Sequence, residues 1–449
     1  MQKNYAIFFL SSLSGNAMKF SKGSVMAVEK IDTLIVGGGQ AGVAMSEHLT
    51  QANVAHLILE KNRVAESWRS GRWDSLVANG PAWHDRFPGL EFQDIGPDEF
   101  PSKESVADYL VAYAKQIKAP IKSGIEVIKA ERIAGMGSFR VETSDGVIEA
   151  NNIVCATGAF QKPMIPPVIP KSADINQIHS YEYRNAKQLV EGAVLVVGSG
   201  SSGAQIAQEL LESGRKTYLS VGPHDRPPRA YRGRDYCWWL GILGLWDVPA
   251  MEPGKEHITI SVSGANGGST IDFRNLAARG MKLTGFVQSY DGGILSIAND
   301  LNHNIAEGDA NYLSMLDAAD DYVKQNSINL PEEPAARTFA KDPKCMTNPV
   351  RELNLAESGI TTIIWATGYS RDYSWLKIDA FDQFGAPKHH RGVSDQPGIY
   401  FLGLPWQSRR GSSFIWGVWH DAKHLADQIH TKSKYLAYHA ATLAKVKEK

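Results

Sequence analysis

Two glycine-spaced turns carry the residues of this chain best suited to chemistry. Gly37-Gly38-Gly39-Gln40-Ala41-Gly42 follows the apolar "TLIV", and Gly198-Ser199-Gly200-Ser201-Ser202-Gly203 follows "AVLVV". In G-x-G-x-x-G the first glycine permits a tight turn, the second lets backbone N–H groups approach a phosphate, and the third lets the next helix pack closely on the strand. Such a turn captures a pyrophosphate on a helix N-terminus, where unpaired N–H groups and the macrodipole favour negative charge. Each unit therefore reads as strand, phosphate turn and helix.

The two units differ one strand later. "HLILEK" ends in Glu60, eighteen residues after Gly42, followed by Lys61. A carboxylate there accepts hydrogen bonds from a ribose 2′-OH. The same count from Gly203 reaches Val221, and "PHDRPPRAYRGRD" follows with Arg226, Arg229, Arg232 and Arg234. The missing acid spares a 2′-phosphate from repulsion, and a guanidinium grips phosphate bidentately. The second turn is therefore expected to prefer NADPH, through Arg226 or Arg229, although the arginine run also reads as a solvated loop or a basic patch. Two unlike dinucleotides imply a resident electron carrier and a mobile donor. A flavin, FAD, is the carrier that can store the two electrons of a hydride.

These turns need elements to hold them. "NNIVCATGAFQKP" (151–163) and "TTIIWATGYSRD" (361–372) repeat each other, each placing Ala-Thr-Gly at a strand end: Ala156, Thr157, Gly158 and Ala366, Thr367, Gly368. They read as crossings between domains, with glycine supplying the freedom needed there. The expected fold is α/β, two Rossmann-like domains of the three-layer FAD/NAD(P)-binding kind. An NADPH domain with a helical insertion (166–368) is inserted in an FAD domain (27–165 and 369–449), and 1–26 stand apart as a leader. Near the C-terminus a strand (398–403), a loop and a helix starting near Gly417 are expected. That helix N-terminus either stabilises negative charge on a reduced flavin or simply closes the domain.

The 449 residues carry a net charge of −1, which gives no global reason to expect nucleic-acid or membrane binding. Cys155, Cys237 and Cys345 stand far apart, without a C-x-x-C pair. A reducing, cytoplasmic setting is expected, with no redox dithiol and no metal site. No apolar run is long enough to span a bilayer. Trp238, Trp239 and Trp246 read as core or as the wall of a substrate cavity.

The order of these motifs, with "ESWRSGRWDSL", "RPPRAYRGRDYCWW" and "GSSFIWGVWHDAKHLA", resembles the class B flavin-dependent monooxygenases, and within them the bacterial flavin-containing monooxygenase-like flavoproteins. The resemblance covers the chain from about residue 27. It implies that Trp68 and Arg69 lie against the flavin, and Glu60 and Lys61 against the adenosine half. It also implies that Asn79, in "ANGPAW", hydrogen-bonds the ring or its oxygen adduct, Asn-Gly-Pro being otherwise a plain turn. Val127, Thr367 and Gly403 are further cofactor-binding positions, with Gln40, Ala41, Ser201 and Ser202 in the turns themselves. The implied activity starts with NADPH reducing FAD. O₂ then adds at C4a, and the C4a-(hydro)peroxyflavin passes one oxygen atom to a soft nitrogen or sulfur nucleophile or to a carbonyl. The partners are thus a small molecule and O₂; the oligomeric state, a homodimer included, stays open. The fingerprint F-x-G-x-x-x-H-x-x-x-(Y/F) keeps only its second half, His179 and Tyr183 in "HSYEY", with Ala173 and Ile175 replacing phenylalanine and glycine. His179 also reads as a structural histidine, and Tyr183 leans away from ketone oxygenation. The rival reading is a flavin reductase or oxidase without oxygenation.

Overall fold

The computed structural model describes residues 28–249 and 259–447; the expected leader lies outside them. Two sheets with parallel cores organise the chain. The first is built from β1 (Glu29–Val36), β2 (His56–Glu60), β3 (Ile121–Ser123), β4 (Val127–Arg132), β5 (Phe139–Thr143) and β6 (Gly146–Cys155). The second takes β7 (Asn176–His179), β8 (Ala193–Val197), β9 (Thr217–Ser220), β10 (Lys282–Thr284) and β11 (Ile360–Trp365). The chain then returns to the first sheet with β12 (His389–His390), β13 (Val393–Ser394) and β14 (Ile399–Phe401).

The spatial order of the first sheet is β12-β13-β14-β6-β1-β2-β3, with β4 and β5 attached through β6; that of the second is β10-β9-β8-β11-β7. β1 pairs in parallel with both β2 and β6, and β8 with both β9 and β11. This explains the unbroken apolar runs: a central parallel strand is covered on both faces, so Leu34, Ile35, Val194, Leu195 and Val196 are all fully buried.

The helices α1 (Gln40–Gln51) and α2 (Lys103–Gln116) belong to the first half, and α3 (Ser201–Glu212) and α4 (Leu301–Gln325) to the second. α5 (Ile415–Lys447) closes the first half. Its Val418, Ala422, Leu425, Ala426 and Ile429, spaced as one helical stripe, share a core with Val43, Ala44 and Leu49 of α1. α5 begins at Ile415, two residues before Gly417 and so where the helix is expected. The glycine has a different duty, since a Cβ at Gly417 would collide with the Gly411 carbonyl, so it lets the preceding loop press on the helix.

The two Ala-Thr-Gly segments run beside each other between the sheets. Lys162–Pro163 pairs antiparallel with Tyr369–Ser370, and Met164 N–H donates to Gly368 O at 3.0 Å. Gln161 Nε2 donates to Thr157 Oγ1 and Gly158 O, while its Oε1 accepts from Asp372 N–H. Gly158 and Gly368 sit at φ +80° and +83°, a region that favours glycine. The tryptophans read as core or cavity wall pack in two apolar clusters. Trp239 is core, packed with Tyr312, Leu316 and Val323 of α4, whereas Trp246 joins Trp83 and Trp416 in a separate aromatic cluster.

Burial holds His56, His179 and His224 below their ordinary pKa of 6.5, and takes His48 down to about 4. The unfolded chain therefore binds protons that the folded chain refuses. Their contribution to stability is complete above about pH 6.5 and is lost as pH falls towards 4. The melting temperature measured by calorimetry is expected to drop steadily between about pH 7 and pH 5; a flat profile would mean that these imidazoles accept protons inside the fold.

Candidate functional site

The first glycine turn is an open cradle. Gly37 sits at φ +112°, and a Cβ there would collide with Ala156 O; a Cβ at Gly42 would collide with Gly37 O. Gly39 caps α1, and no heavy atom lies within 4 Å of where its Cβ would stand. The N–H groups of Gln40 and Ala41 thus end the helix against free space, as a pyrophosphate requires. Glu60, at the end of β2, reaches back to this turn. Its Oε2 accepts from Gly38 N–H at 2.7 Å and its Oε1 from Asn62 N–H at 2.8 Å, with exposed Lys61 beside it.

Gln40 ties the cradle to its surroundings. Its Nε2 donates to Ser413 O (2.8 Å), just before α5, and its Oε1 accepts from Trp68 Nε1 (3.3 Å). Trp68 is thereby held at the α1 N-terminus, in contact with the cores of both halves. Arg69 turns the other way, with its guanidinium on Glu104 (3.2 Å) and Asp108 (2.7 Å) of α2. Val127 is half-buried at the start of β4, against the core of the first sheet. Gly403, at φ +84°, lets the chain after β14 approach Ala41, whose Cβ would lie 3.1 Å from one on the glycine.

The second turn repeats this geometry but not its state. Gly198 also sits at φ +112° over Ala366 O, and a Cβ at Gly203 would collide with Gly198 O. Here the link from turn to strand end carries no charge: Ser199 Oγ donates to Gly222 O and accepts from Gly222 N–H, both at 3.1 Å. The space above Gly200 is taken. Residues 259–262 form a strap across the α3 N-terminus, with the Thr259 methyl where a Cβ on Gly200 would stand. Ser201 Oγ donates to Ile260 O (2.8 Å) and accepts from Val262 N–H (3.2 Å), and Ser261 Oγ donates to Ser199 O. Ser202, the next residue of α3, is exposed.

The arginines expected to hold a 2′-phosphate are already paired. Arg226, 4% exposed, is paired with Asp309 at 2.6 Å under Tyr312. Arg229, 2% exposed, makes three bonds of 2.7–3.0 Å to the Asp235 carboxylate. Both charges are already neutralised by carboxylates, Asp309 buried and Asp235 half-buried, because a bare guanidinium in the interior is far costlier than a paired one. Arg229 does serve the site in another way, since its Nη1 donates to Asn79 O at 2.6 Å.

Asn79, a residue of the first half, is held from the second. Its Oδ1 accepts from Gln205 Nε2 (2.9 Å) on α3, and the next N–H, that of Gly80, donates to Asp85 (3.1 Å). Asp85 also engages Nδ1 of His84 (2.8 Å). The His84 ring stacks on Trp246 at 4.9 Å, near Trp83 and Trp416, and its buried Nε2 meets no hydrogen-bond partner. His179 is fully buried and neutral: Nδ1 accepts from Tyr181 N–H, which leaves Nε2–H to donate to Gly368 O (2.9 Å) at the second crossing. Tyr183, also fully buried, donates to Glu209 of α3 at 2.7 Å. Sequence reading missed Gln205, the strap and the His84–Asp85 pair. A buried glutamine 126 residues from its partner leaves no periodic or motif signal.

A family described as pyridine nucleotide-disulphide oxidoreductase is matched by residues 34–231. The chain is 36% identical over 403 residues to an oxidoreductase named CzcO-like from Geobacillus kaustophilus (strain HTA426), covering 89% of this chain and 98% of the relative. It is 32% identical over 421 residues to indole-3-pyruvate monooxygenase YUCCA1 from Oryza sativa subsp. japonica, covering 88% and 91%. A flavin-containing monooxygenase from Stenotrophomonas maltophilia has the same fold, with TM-score 0.62 and 18% identity over 90% of this chain and all of that one. Fold and relatives together define a Rossmann-like oxidoreductase of the flavoprotein class. The chain belongs to the flavin-dependent monooxygenase family that includes the CzcO-like and YUCCA proteins.

Because Gly42 faces a backbone carbonyl that has no room to move, Gly42→Val is expected to lower the flavin retained on purification by about tenfold or more. The ratio of visible to ultraviolet absorbance reads this directly. Full retention would place the flavin away from the first turn.

Proposed function

We propose that this chain is an NADPH- and FAD-dependent monooxygenase that transfers one oxygen atom of O₂ to a small organic substrate. The observation that carries this reading is Asn79, a residue of the first half held by hydrogen bonds from two side chains of the second, Gln205 and Arg229. FAD takes the first turn. Its pyrophosphate lies on the N–H groups of Gln40 and Ala41, its ribose on Glu60 and its adenosine half near Lys61 and Val127. When bound, the flavin accepts hydride from the nicotinamide and activates O₂. The protein binds, orients and excludes water around it.

Trp68, fixed by Gln40, stands against the flavin, whereas Arg69 supports that segment through α2. Thr157, Thr367 and the glycines beside them keep the crossings narrow enough for the two nucleotides to meet. Gly403 lets the chain pass close over Ala41. NADPH takes the second turn at Gly200, Ser201 and Ser202 once the strap leaves. Its preference over NADH rests on the uncharged Ser199–Gly222 link, with Arg226 and Arg229 engaged by their aspartates. The wall of Trp83, Trp246 and Trp416 around His84 favours an apolar or aromatic substrate, whether a nitrogen or sulfur nucleophile or a carbonyl. The indole-3-pyruvate in the rice relative's name is an aromatic carbonyl compound of that kind.

The test is anaerobic reduction of the yellow protein with NADPH, then rapid mixing with O₂ while the absorbance spectrum is recorded. A transient species distinct from oxidised and reduced flavin is expected. Direct return to oxidised flavin with stoichiometric peroxide, substrate present or not, would favour a flavin reductase or oxidase. Asn79→Ala is expected to leave the rate of reduction within about twofold and to raise peroxide per NADPH several-fold; unchanged coupling would remove Asn79 from the oxygen chemistry.

A further inference from the structure

Gln205 lies five residues into α3, 8% exposed, and its single amide nitrogen serves two acceptors on different parts of the molecule. One N–H donates to Val262 O at 2.7 Å, on the strap that covers the second glycine turn; the other donates to Asn79 Oδ1 at 2.9 Å. The first bond settles the chemistry of the second. A backbone carbonyl only accepts, so the end of Gln205 that meets Val262 must be the NH₂. Its remaining N–H must then meet an acceptor, which turns the Asn79 oxygen towards Gln205 and leaves the Asn79 NH₂ as the outward, donating end. Arg229 and Asp85 fix only the backbone around Asn79, at its O and at Gly80 N–H, so neither chooses which end of the amide faces out.

We propose that Gln205 is a positioning residue that sets the Asn79 amide with its NH₂ outward, and that through Val262 it links this setting to the strap over the second glycine turn. The inference rests on Asn79 acting at the flavin, as argued above. A donor, not an acceptor, is what an oxygen atom bound near Asn79 requires, and the Gln205–Val262 bond is what selects it. The same carbonyl belongs to the segment that fills the space over Gly200. A pyrophosphate reaching the α3 N–H groups must displace Thr259 and Ile260, which the Gln205–Val262 bond helps to hold docked from the end of the strap. Strap docking and nucleotide binding at this turn are therefore competing states, and the apparent affinity is lowered by the fraction of molecules with the strap docked.

The experiment uses the FAD-loaded protein, wild type and Gln205→Leu, with Gln205→Glu as the second variant because its carboxylate can only accept. Hydrogen–deuterium exchange over residues 259–264 is compared with and without NADP⁺, and NADP⁺ affinity is measured by titration. NADP⁺ is expected to speed exchange in the strap. Gln205→Leu is expected to speed it without nucleotide and to tighten NADP⁺ about three- to tenfold, the effect of one lost strap hydrogen bond. Peroxide per NADPH is expected to rise in both variants to about the level of Asn79→Ala, with the Asn79→Ala/Gln205→Leu double variant no worse than either single change. Strap exchange and NADP⁺ affinity unaltered by either variant would overturn the linkage. Normal coupling in the Gln205 variants beside a leaking Asn79→Ala would overturn the positioning role. An Asn79→Ala enzyme that remains coupled would instead overturn the role of Asn79 itself, leaving exchange and affinity to decide the strap linkage.

Discussion

The arrangement of this enzyme depends on one backbone contact made twice. In each half the carbonyl that ends a strand, Ala156 O or Ala366 O, lies against the first glycine of the phosphate turn, and that glycine's own carbonyl lies against the third. Any Cβ in these places would meet backbone, which has nowhere to go. The contact holds each helix N-terminus at a strand end, and it also puts each Ala-Thr-Gly crossing directly beneath a nucleotide turn. There Gln161 and the Lys162–Pro163 pairing with Tyr369–Ser370 tie the two crossings together while the halves remain separate sheets.

Charge is distributed to match. At the first turn Glu60 fastens the turn through Gly38 N–H with a carboxylate. At the second, Ser199 does the fastening with a neutral hydroxyl. The two turns are alike in shape and differ in that the first link is charged and the second neutral. The arginines that follow the second turn serve the interior: Arg226 and Arg229 lock α4 and the Asp235 segment into place, and Arg229 carries that rigidity to Asn79.

The two turns also differ in state. Gly39 faces open space, whereas Gly200 lies under Thr259. A resident cofactor suits the open cradle, and a cosubstrate that comes and goes suits one that closes behind it. The strap keeps the Ser201 hydroxyl and the buried Gln205 amide hydrogen-bonded.

The sequence by itself determined the two glycine turns, the acid after one and its absence after the other, the paired Ala-Thr-Gly crossings and the inserted α/β plan. These are local features: a turn that needs φ +112°, or a strand buried on both faces, constrains the residues that form it. Only the tertiary structure decided which charges face a ligand and which face each other. Arg226 meets Asp309 across 83 residues, Gln205 meets Asn79 across 126, and residues 259–262 cover a turn some sixty positions earlier. Gly417 marks the start of α5 to within two residues, but its close approach to Gly411 is a tertiary contact. Such contacts are chosen by packing and by the need to satisfy buried polar groups, and neither leaves a period or a spacing in the chain.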